Sequence, residues 1–438
     1  MKFLTICFFL SLLGLHIFPN ILEALSFGLT LGIAIHIILR ANESFMFREW
    51  ILLLYAVNYL LSPAITYQLA SDRVTYSMRI PSAYYFSLAF PGFLLFALGL
   101  FLIPTKIFSP NVSKISKATL LNEQFLIGVA LFGFIMSLMQ GFFIYLVSLL
   151  RFIGIFSLFG SNPRKYRYFM LLAFGFEIYS GAKSAMFHDA IMWVIFLAIY
   201  SLYMVKPNIV VKIMGAGILI LFVLLIQLFK AEFRERVWQG DEASSFETIT
   251  DVGIGVANSE DLSSESSLLG TLNRGNQAWI FASTVDNMDR TKDFQGMNLI
   301  NIYLQSALLP RFLSPNKIKS GDRQIFNKFS GHQLSEGTAM GLGVFADGYV
   351  AYGRFGVYIF TFALGLLFSL TFKLVERWSN ISPIYILLIL PMLNYSVRPD
   401  CELQTAINHL SKSILVYGGL VYLTKYRFTM NFITLNKR

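Results

Sequence analysis

Apolar residues recur along this chain in long, nearly unbroken runs, parted by short polar turns. They do not follow the three-and-four spacing of a helix that is half in water. The runs predict helices over roughly 3–18, 21–39, 50–69, 82–103, 122–139, 142–160, 168–182, 189–205, 209–229, 355–372, 383–397 and 406–424. A helix needs about 20 apolar residues to cross about 30 Å of hydrocarbon. The pattern therefore predicts an all-α, polytopic membrane protein with about 12 transmembrane helices. The stretch 122–160, divided at Gln140 and Gly141, reads either as two spans or as one broken helix.

One polar interruption, between spans 9 and 10, is far longer than the rest. It divides the chain into an N-terminal bundle over 1–229, a large loop over 230–338, C-terminal helices over 339–424 and a tail over 425–438. The loop is not uniform. Its first part, "GDEASSFETITDVGIGVANSEDLSSESS", is acidic and serine-rich, which favours local order at most. "LLGTLNRGNQAWIFASTVDNM" has apolar residues at helical spacing and predicts an amphipathic helix on the bundle or the membrane surface. "GMNLINIYLQSALLP" predicts a second short helix, closed by Pro310. The opening "MKFLTICFFLSLLGLHIF" resembles a secretory signal but lacks a small-x-small cleavage site, so a retained first helix is expected.

Composition agrees with a lipid environment: 55% of residues are hydrophobic and 14% charged, with mean hydropathy +0.61. Soluble domains carry about 25% charged residues. The net charge of +10 raises the question of nucleic acid, and its distribution answers it. Alternate connections hold Arg40 and Arg48, Lys106, Lys114 and Lys117, then Arg164, Lys165 and Arg167, and later Lys373 and Arg377. The short turns on the opposite side hold only Arg73, Arg79, Lys183 and Arg398. By the positive-inside rule both termini are expected in the cytoplasm and the large loop outside. The excess charge belongs to the inner connections, and no nucleic-acid partner is needed to explain it. Cys7 and Cys401, the two cysteines, form neither a disulfide framework nor a zinc site.

The chain has no P-loop, HExxH or GxSxG, and no Asp-x-Asp pair of the kind metal-dependent sugar-nucleotide transferases use. Its five histidines, His16, His36, His188, His332 and His409, are scattered and read individually as structural. What stands out is a set of outer-side arginines: Arg274, Arg290, Arg311, Arg323, Arg354 and Arg398. A guanidinium offers a planar fork that pairs bidentately with phosphate. Any one of these is equally readable as a solvated or salt-bridged loop residue. Arg311 is better placed, since Pro310 fixes its approach and Lys317 and Lys319 follow. Arg398, in "NYSVRPDCE", also abuts a proline where the penultimate span emerges. Arg151 lies inside an apolar run, where a cation marks function or an anchor. The run "GTAMGLGVFADGYVAYGRFG" has six glycines in twenty residues, fitting a re-entrant site wall or close helix packing.

Two of these stretches together resemble the O-antigen polymerase family of bacterial surface polysaccharide assembly. "LLPRFLSPNKI" is similar to that family's proline-arginine loop, with Ser314 where a tryptophan is usual and Asn316 where an acid is usual. "FADGYVAYGRFG" is similar to a later run entering a span, with Asp347 in place of a glutamate. The resemblance covers Arg274 to Gly356 and the plan of many spans with one late external loop. It implies a glycosyltransferase on the outer face of the bacterial inner membrane. Such an enzyme moves a growing glycan from undecaprenyl pyrophosphate onto an incoming lipid-linked repeat unit. The implied pyrophosphate ligands are Arg311, Arg274, Lys317, Arg323 and Arg398, stabilising the leaving group. The implied candidates for the base that receives the acceptor proton are Asp347, Glu336 and His332. The donor is activated by its own lipid, so neither a cofactor nor a metal is expected. The expected partners are the lipid-linked oligosaccharide, the bilayer and a chain-length regulator protein.

Two other readings share part of this pattern. An O-antigen ligase uses the same donor with a different acceptor. A lipid-linked oligosaccharide flippase or transporter would favour short loops, related halves and charges inside the spans, and no internal repeat is visible here.

Overall fold

Every predicted apolar run coincides with helix. The computed structural model describes residues 2–68, 77–108, 123–139, 141–183, 188–238, 255, 276–309, 318, 320–335 and 338–435, and contains no strand among them. Among these residues, nine helices precede the long polar segment: α1 (Lys2–Gly14), α2 (Ile21–Arg40), α3 (Phe47–Gln68), α4 (Ser82–Leu102), α5 (Glu123–Ser137), α6 (Phe142–Ser161), α7 (Pro163–Lys183), α8 (His188–Val205) and α9 (Ile209–Trp238). Within the segment lie α10 (Ala278–Thr291), α11 (Gly296–Leu308) and α12 (Arg323–Ser330). After it come α13 (Val344–Ser379), α14 (Pro383–Leu393) and α15 (Leu403–Leu435).

Among the described residues, five helices are long and apolar enough to cross a membrane: α2, α3, α4, α6 and α13. Five further apolar stretches, in α1, α5, α8, α9 and α14, are shorter. The 13 residues of α1 span about 20 Å, less than the hydrocarbon thickness of about 30 Å.

The helices meet through small residues, as lipid-embedded helices do when no hydrophobic force draws them together. A Cβ on Gly99 of α4 would stand 2.4 Å from the Phe362 carbonyl oxygen, and one on Gly365 of α13 would stand 2.2 Å from that of Phe96. The two backbones are therefore in direct contact. The uncertain stretch 122–160 forms two helices, with Gly141 at φ +130 before α6. They pack on each other where Gly154 approaches Leu126 and Gly133 approaches Arg151.

α13 is not one straight rod. Tyr352 (φ −140, ψ 26) and Gly353 (φ 60, ψ −139) leave the helical region. In a straight helix Gly348 and Gly356 would be about 12 Å apart along the axis. Here a Cβ on Gly348 would stand 2.4 Å from the Gly356 carbonyl oxygen. The chain folds back on itself, and only glycine at both positions permits the contact. A short arm, residues 344–351, thus lies beside the long arm that continues to Ser379. Both arms reach the same level of α4, since Phe345 and Val357 both face Gly92. α10 packs on the bundle: Phe281 is fully buried against the rings of Tyr85, Phe345 and Tyr349.

Candidate functional site

The non-helical segment 398–402 joins α14 to α15 and is fastened to α3. Tyr55 donates to the Arg398 carbonyl oxygen (3.3 Å) and Tyr59 to that of Pro399 (2.8 Å). Tyr59 belongs to a π-helical turn, Val57–Leu61, a local widening often found at functional sites. These tyrosines lie about 12 and 18 Å along a helix of 22 residues, about 33 Å long. The segment is therefore level with the middle of α3. Irregular backbone at such a depth is tolerated only inside protein or against a water-filled cavity.

The short arm of α13 meets this segment. Asp347 is 0% exposed, and both its oxygens are engaged. Oδ1 accepts from the Tyr303 hydroxyl of α11 (2.8 Å) and Oδ2 from the Leu403 backbone N–H at the start of α15 (2.9 Å). Beside it, Glu402 is buried and accepts from the backbone N–H of Gly321 (3.3 Å), that of Leu342 (3.4 Å) and the Thr405 hydroxyl (3.4 Å). Burial pushes the Glu402 carboxyl up to about 7, with those three donors partly opposing the rise. Burial, and then the neighbouring carboxyls of Asp347 and Glu402, raise the Tyr303 phenol well above its ordinary value, so it stays a donor. Gly341 and Gly343 close the junction. A Cβ on the first would stand 2.5 Å from the Asp400 carbonyl oxygen, and Gly343 holds φ +80 against the Tyr59 hydroxyl.

Arg398 lies at this junction but turns to another carboxylate. Its Nε and Nη2 donate to the two oxygens of Asp400 at 3.1 and 2.6 Å, and its guanidinium stacks over Tyr395 at 4.7 Å. Burial works against its charge, but Asp400 outweighs that and raises its pKa above the ordinary value. Among the described residues no ion pair reaches Asp347 or Glu402.

His332 belongs to a separate cluster. Its Nε2 is 3.0 Å from the Ser283 hydroxyl, its Nδ1 is 3.4 Å from Nη2 of Arg79, and Trp279 meets it edge-on. Burial and then Arg79 hold its pKa below the usual value, favouring the neutral ring. Arg323 is half-buried at the first position of α12, which Asp322 caps through the backbone N–H groups of Gln324 and Ile325. Arg274, Arg311, Lys317 and Glu336 lie outside the described residues.

Sequence reasoning passed over Glu402, Asp400 and Tyr303. One signal was available: Asp400 and Glu402 are the only carboxylates after Glu376, and both follow Arg398 within four residues. It also passed over a more open triangle. Tyr84 donates to Asp289 Oδ2 (2.9 Å), Tyr349 donates to Oδ1 (2.8 Å), and the two hydroxyls are 2.9 Å apart. With both protons given to Asp289, the contact between the hydroxyls carries no proton, and their oxygens can accept from a further donor.

The family described as "Domain of unknown function (DUF8712)" matches residues 81–380, more than half of the chain. The chain belongs to this family. The DUF8712 region takes in α4 to α13, and so Asp347, Tyr303, Asp289 and His332, while Arg398 and Glu402 follow it. No curated protein and no solved structure matches the chain.

Proposed function

We propose that this DUF8712 protein is a membrane glycosyltransferase that polymerises undecaprenyl-pyrophosphate-linked oligosaccharide repeat units into O-antigen or a related surface polysaccharide. In this reading it crosses the bacterial inner membrane about twelve times, with both termini in the cytoplasm and the 230–338 segment outside. The family match carries no activity with it. Support comes from the two stretches that resemble the polymerase family, which converge on the same pair of helix ends.

The first stretch finishes at Ile318, whose N–H donates to Ser306 Oγ of α11 (3.2 Å) and whose carbonyl oxygen accepts from Gln404 of α15 (3.4 Å). The second contains Asp347, held by Tyr303 of α11 and by Leu403 of α15. Residues 303 and 306 are one turn apart, and 403 and 404 are adjacent. That convergence of stretches distant in sequence carries the proposal.

Asp347 has no oxygen turned to a cleft, so in this reading it is a positioning residue that holds the start of α15. Arg311 and Lys317 supply charge to the departing pyrophosphate, while Arg398, expected beside them, is engaged by Asp400; the acceptor proton passes to His332, Glu336 or Asp289. A chain-length regulator is the expected protein partner.

The test is the lipopolysaccharide ladder on a silver-stained gel. A deletion strain complemented with Arg311→Ala, at matched membrane levels, should lose its long chains and keep the single-repeat band. A wild-type ladder would overturn the role of Arg311. In the uncomplemented strain, loss of all capped core would indicate a ligase, and inner-leaflet accumulation a flippase. An alkaline phosphatase fusion at residue 260 should be active and one at the C-terminus inactive; the reverse would invert the topology.

A further inference from the structure

The helix α11 falls inside the segment that sequence reasoning assigns to the outer aqueous side, yet its surroundings are those of a membrane. "GMNLINIYLQSAL" contains no charged residue. Leu299, Tyr303, Ser306 and Ala307 face the protein. The opposite face exposes Met297 (57%), Leu304 (40%) and Leu308 (57%), three positions that repeat at helical spacing. Asn298, Asn301 and Gln305, exposed but uncharged, run along one side of this stripe, with Ile302 and Leu309 beyond them. A helix presenting that stripe to water would expose a row of large apolar side chains with no charged residue on the helix beside them.

Depth says what covers it. At the N-terminal end, the Gln295 N–H donates to the Val350 carbonyl oxygen (2.9 Å), and Gly296 lies against the ring of Tyr352, at the fold-back of α13. Farther along, Tyr303 reaches Asp347 on the short arm, three residues before which Val344 begins the helix. That arm is level with Gly92, ten residues and about 15 Å into α4. At the C-terminal end, Ser306 is tied through Ile318 to Gln404, five residues after Pro399, whose carbonyl oxygen is held by Tyr59 in the middle of α3. α11 thus follows the short arm inward from the α4 N-terminus toward mid-span. Its exposed stripe also continues a face that needs lipid in any case: Phe355 and Ile359 on the long arm are 74% and 58% exposed.

We infer that α11 is inserted in the half of the bilayer nearest the α4 N-terminus, with Met297, Leu304 and Leu308 against lipid hydrocarbon. Leu309 and Ile318 then stand at the lipid boundary. The inference depends on packing and depth alone and holds whatever reaction the protein performs.

Site-specific fluorescence quenching of the full chain in nanodiscs tests it. Cys7 and Cys401 are buried, so the parent protein serves as an unlabelled blank. Bimane on Leu304→Cys or Leu308→Cys should lose most of its emission to lipids carrying a nitroxide on the acyl chain and little to aqueous iodide. Bimane on Gln324→Cys, exposed on the polar helix α12, should do the reverse. Met297→Cys provides a second position should either leucine variant fail to elute as a single species. Iodide quenching of α11 equal to that of Gln324→Cys would overturn the inference in favour of a water-facing helix. Protection from both quenchers would overturn it in favour of a protein covering, such as a second copy of the chain.

Discussion

Where α6 meets α7, Arg151 and Glu177 are 7% and 9% exposed and pair at 2.5 Å. Each guanidinium nitrogen is engaged: Nε and Nη2 donate to Glu177, Nη1 donates to the Ser148 carbonyl oxygen and hydroxyl, and Phe152 lies 4.8 Å beneath. Where α13 meets α15, two carboxyl groups, Asp347 and Glu402, are buried with equal care but without a cation. Neutral donors hold them, and the nearby Arg398 is committed to Asp400. The first arrangement cancels charge and closes a helix contact. The second leaves the charge state of its carboxyls to solvent pH and to whatever approaches. A buried ion pair with each guanidinium nitrogen hydrogen-bonded is a fastening. Buried carboxyls held by neutral groups, on irregular backbone level with mid-span, form a junction that can still take up or lose a proton.

The comparison can be broken most forcefully at the ion pair. Removing one partner of a buried pair leaves a desolvated charge and costs about 3–5 kcal/mol, whereas replacing both by apolar groups is often neutral. Arg151→Ala should therefore lower the thermal midpoint of the detergent-purified protein severely, while Arg151→Met combined with Glu177→Leu should recover most of it. If the double variant were as unstable as the single, the pair would be doing more than fastening α6 to α7.

The carboxyl junction should instead respond to pH. With its folded pKa near 7, above the ordinary 4.5, Glu402 binds its proton more tightly in the folded state. Its contribution is therefore full below pH 4.5 and lost as pH rises toward 7. The shift corresponds to a loss of roughly 3 kcal/mol across that window. Thermal midpoints of wild-type protein should fall over this range relative to those of Glu402→Gln, which keeps the shape and cannot titrate. Parallel pH profiles for the two proteins would remove Glu402 as the source.

How much of this was legible beforehand follows from the range of each interaction. Apolar runs report burial in lipid residue by residue, so α2, α3, α4 and α6 were all visible in the sequence. The fold-back of α13 left only its glycines: Gly348, Gly353 and Gly356 were noticed, but the choice between a re-entrant wall and close packing needed coordinates. Close packing accounts for Gly348 and Gly356, and Gly353 takes the positive φ of the turn. Arg151 stood out as a cation among apolar residues, but its partner is 26 positions away on another helix. Nothing in a period of 3.6 points from Arg151 to Glu177. Asp347 was singled out through the resemblance, and its confinement between Tyr303 and Leu403 is a tertiary fact. Arg398 was chosen for its proline, while the carboxylate that engages it stood two residues on.

The finest point of the comparison is why Arg398 does not neutralise the carboxyl junction. Its backbone is fastened to Tyr55, its fork grips both Asp400 oxygens, and its plane lies on Tyr395. A lysine at this position keeps the charge but can neither grip two oxygens at once nor stack as a plane. The Arg398 and Asp400 side chains are 18% and 29% exposed, so water screens part of the interaction. The loss should therefore be that of one hydrogen bond, about 1 kcal/mol. Arg398→Lys should lower the thermal midpoint slightly and by the same amount throughout the titration of Glu402, because no ion pair joins the two residues. A changed slope would mean something else. A flexible ammonium that reached Glu402 would hold its charged form and move the pH-dependent loss to lower pH. That result would make the rigidity of the arginine fork the reason the carboxyl junction keeps its proton near neutrality.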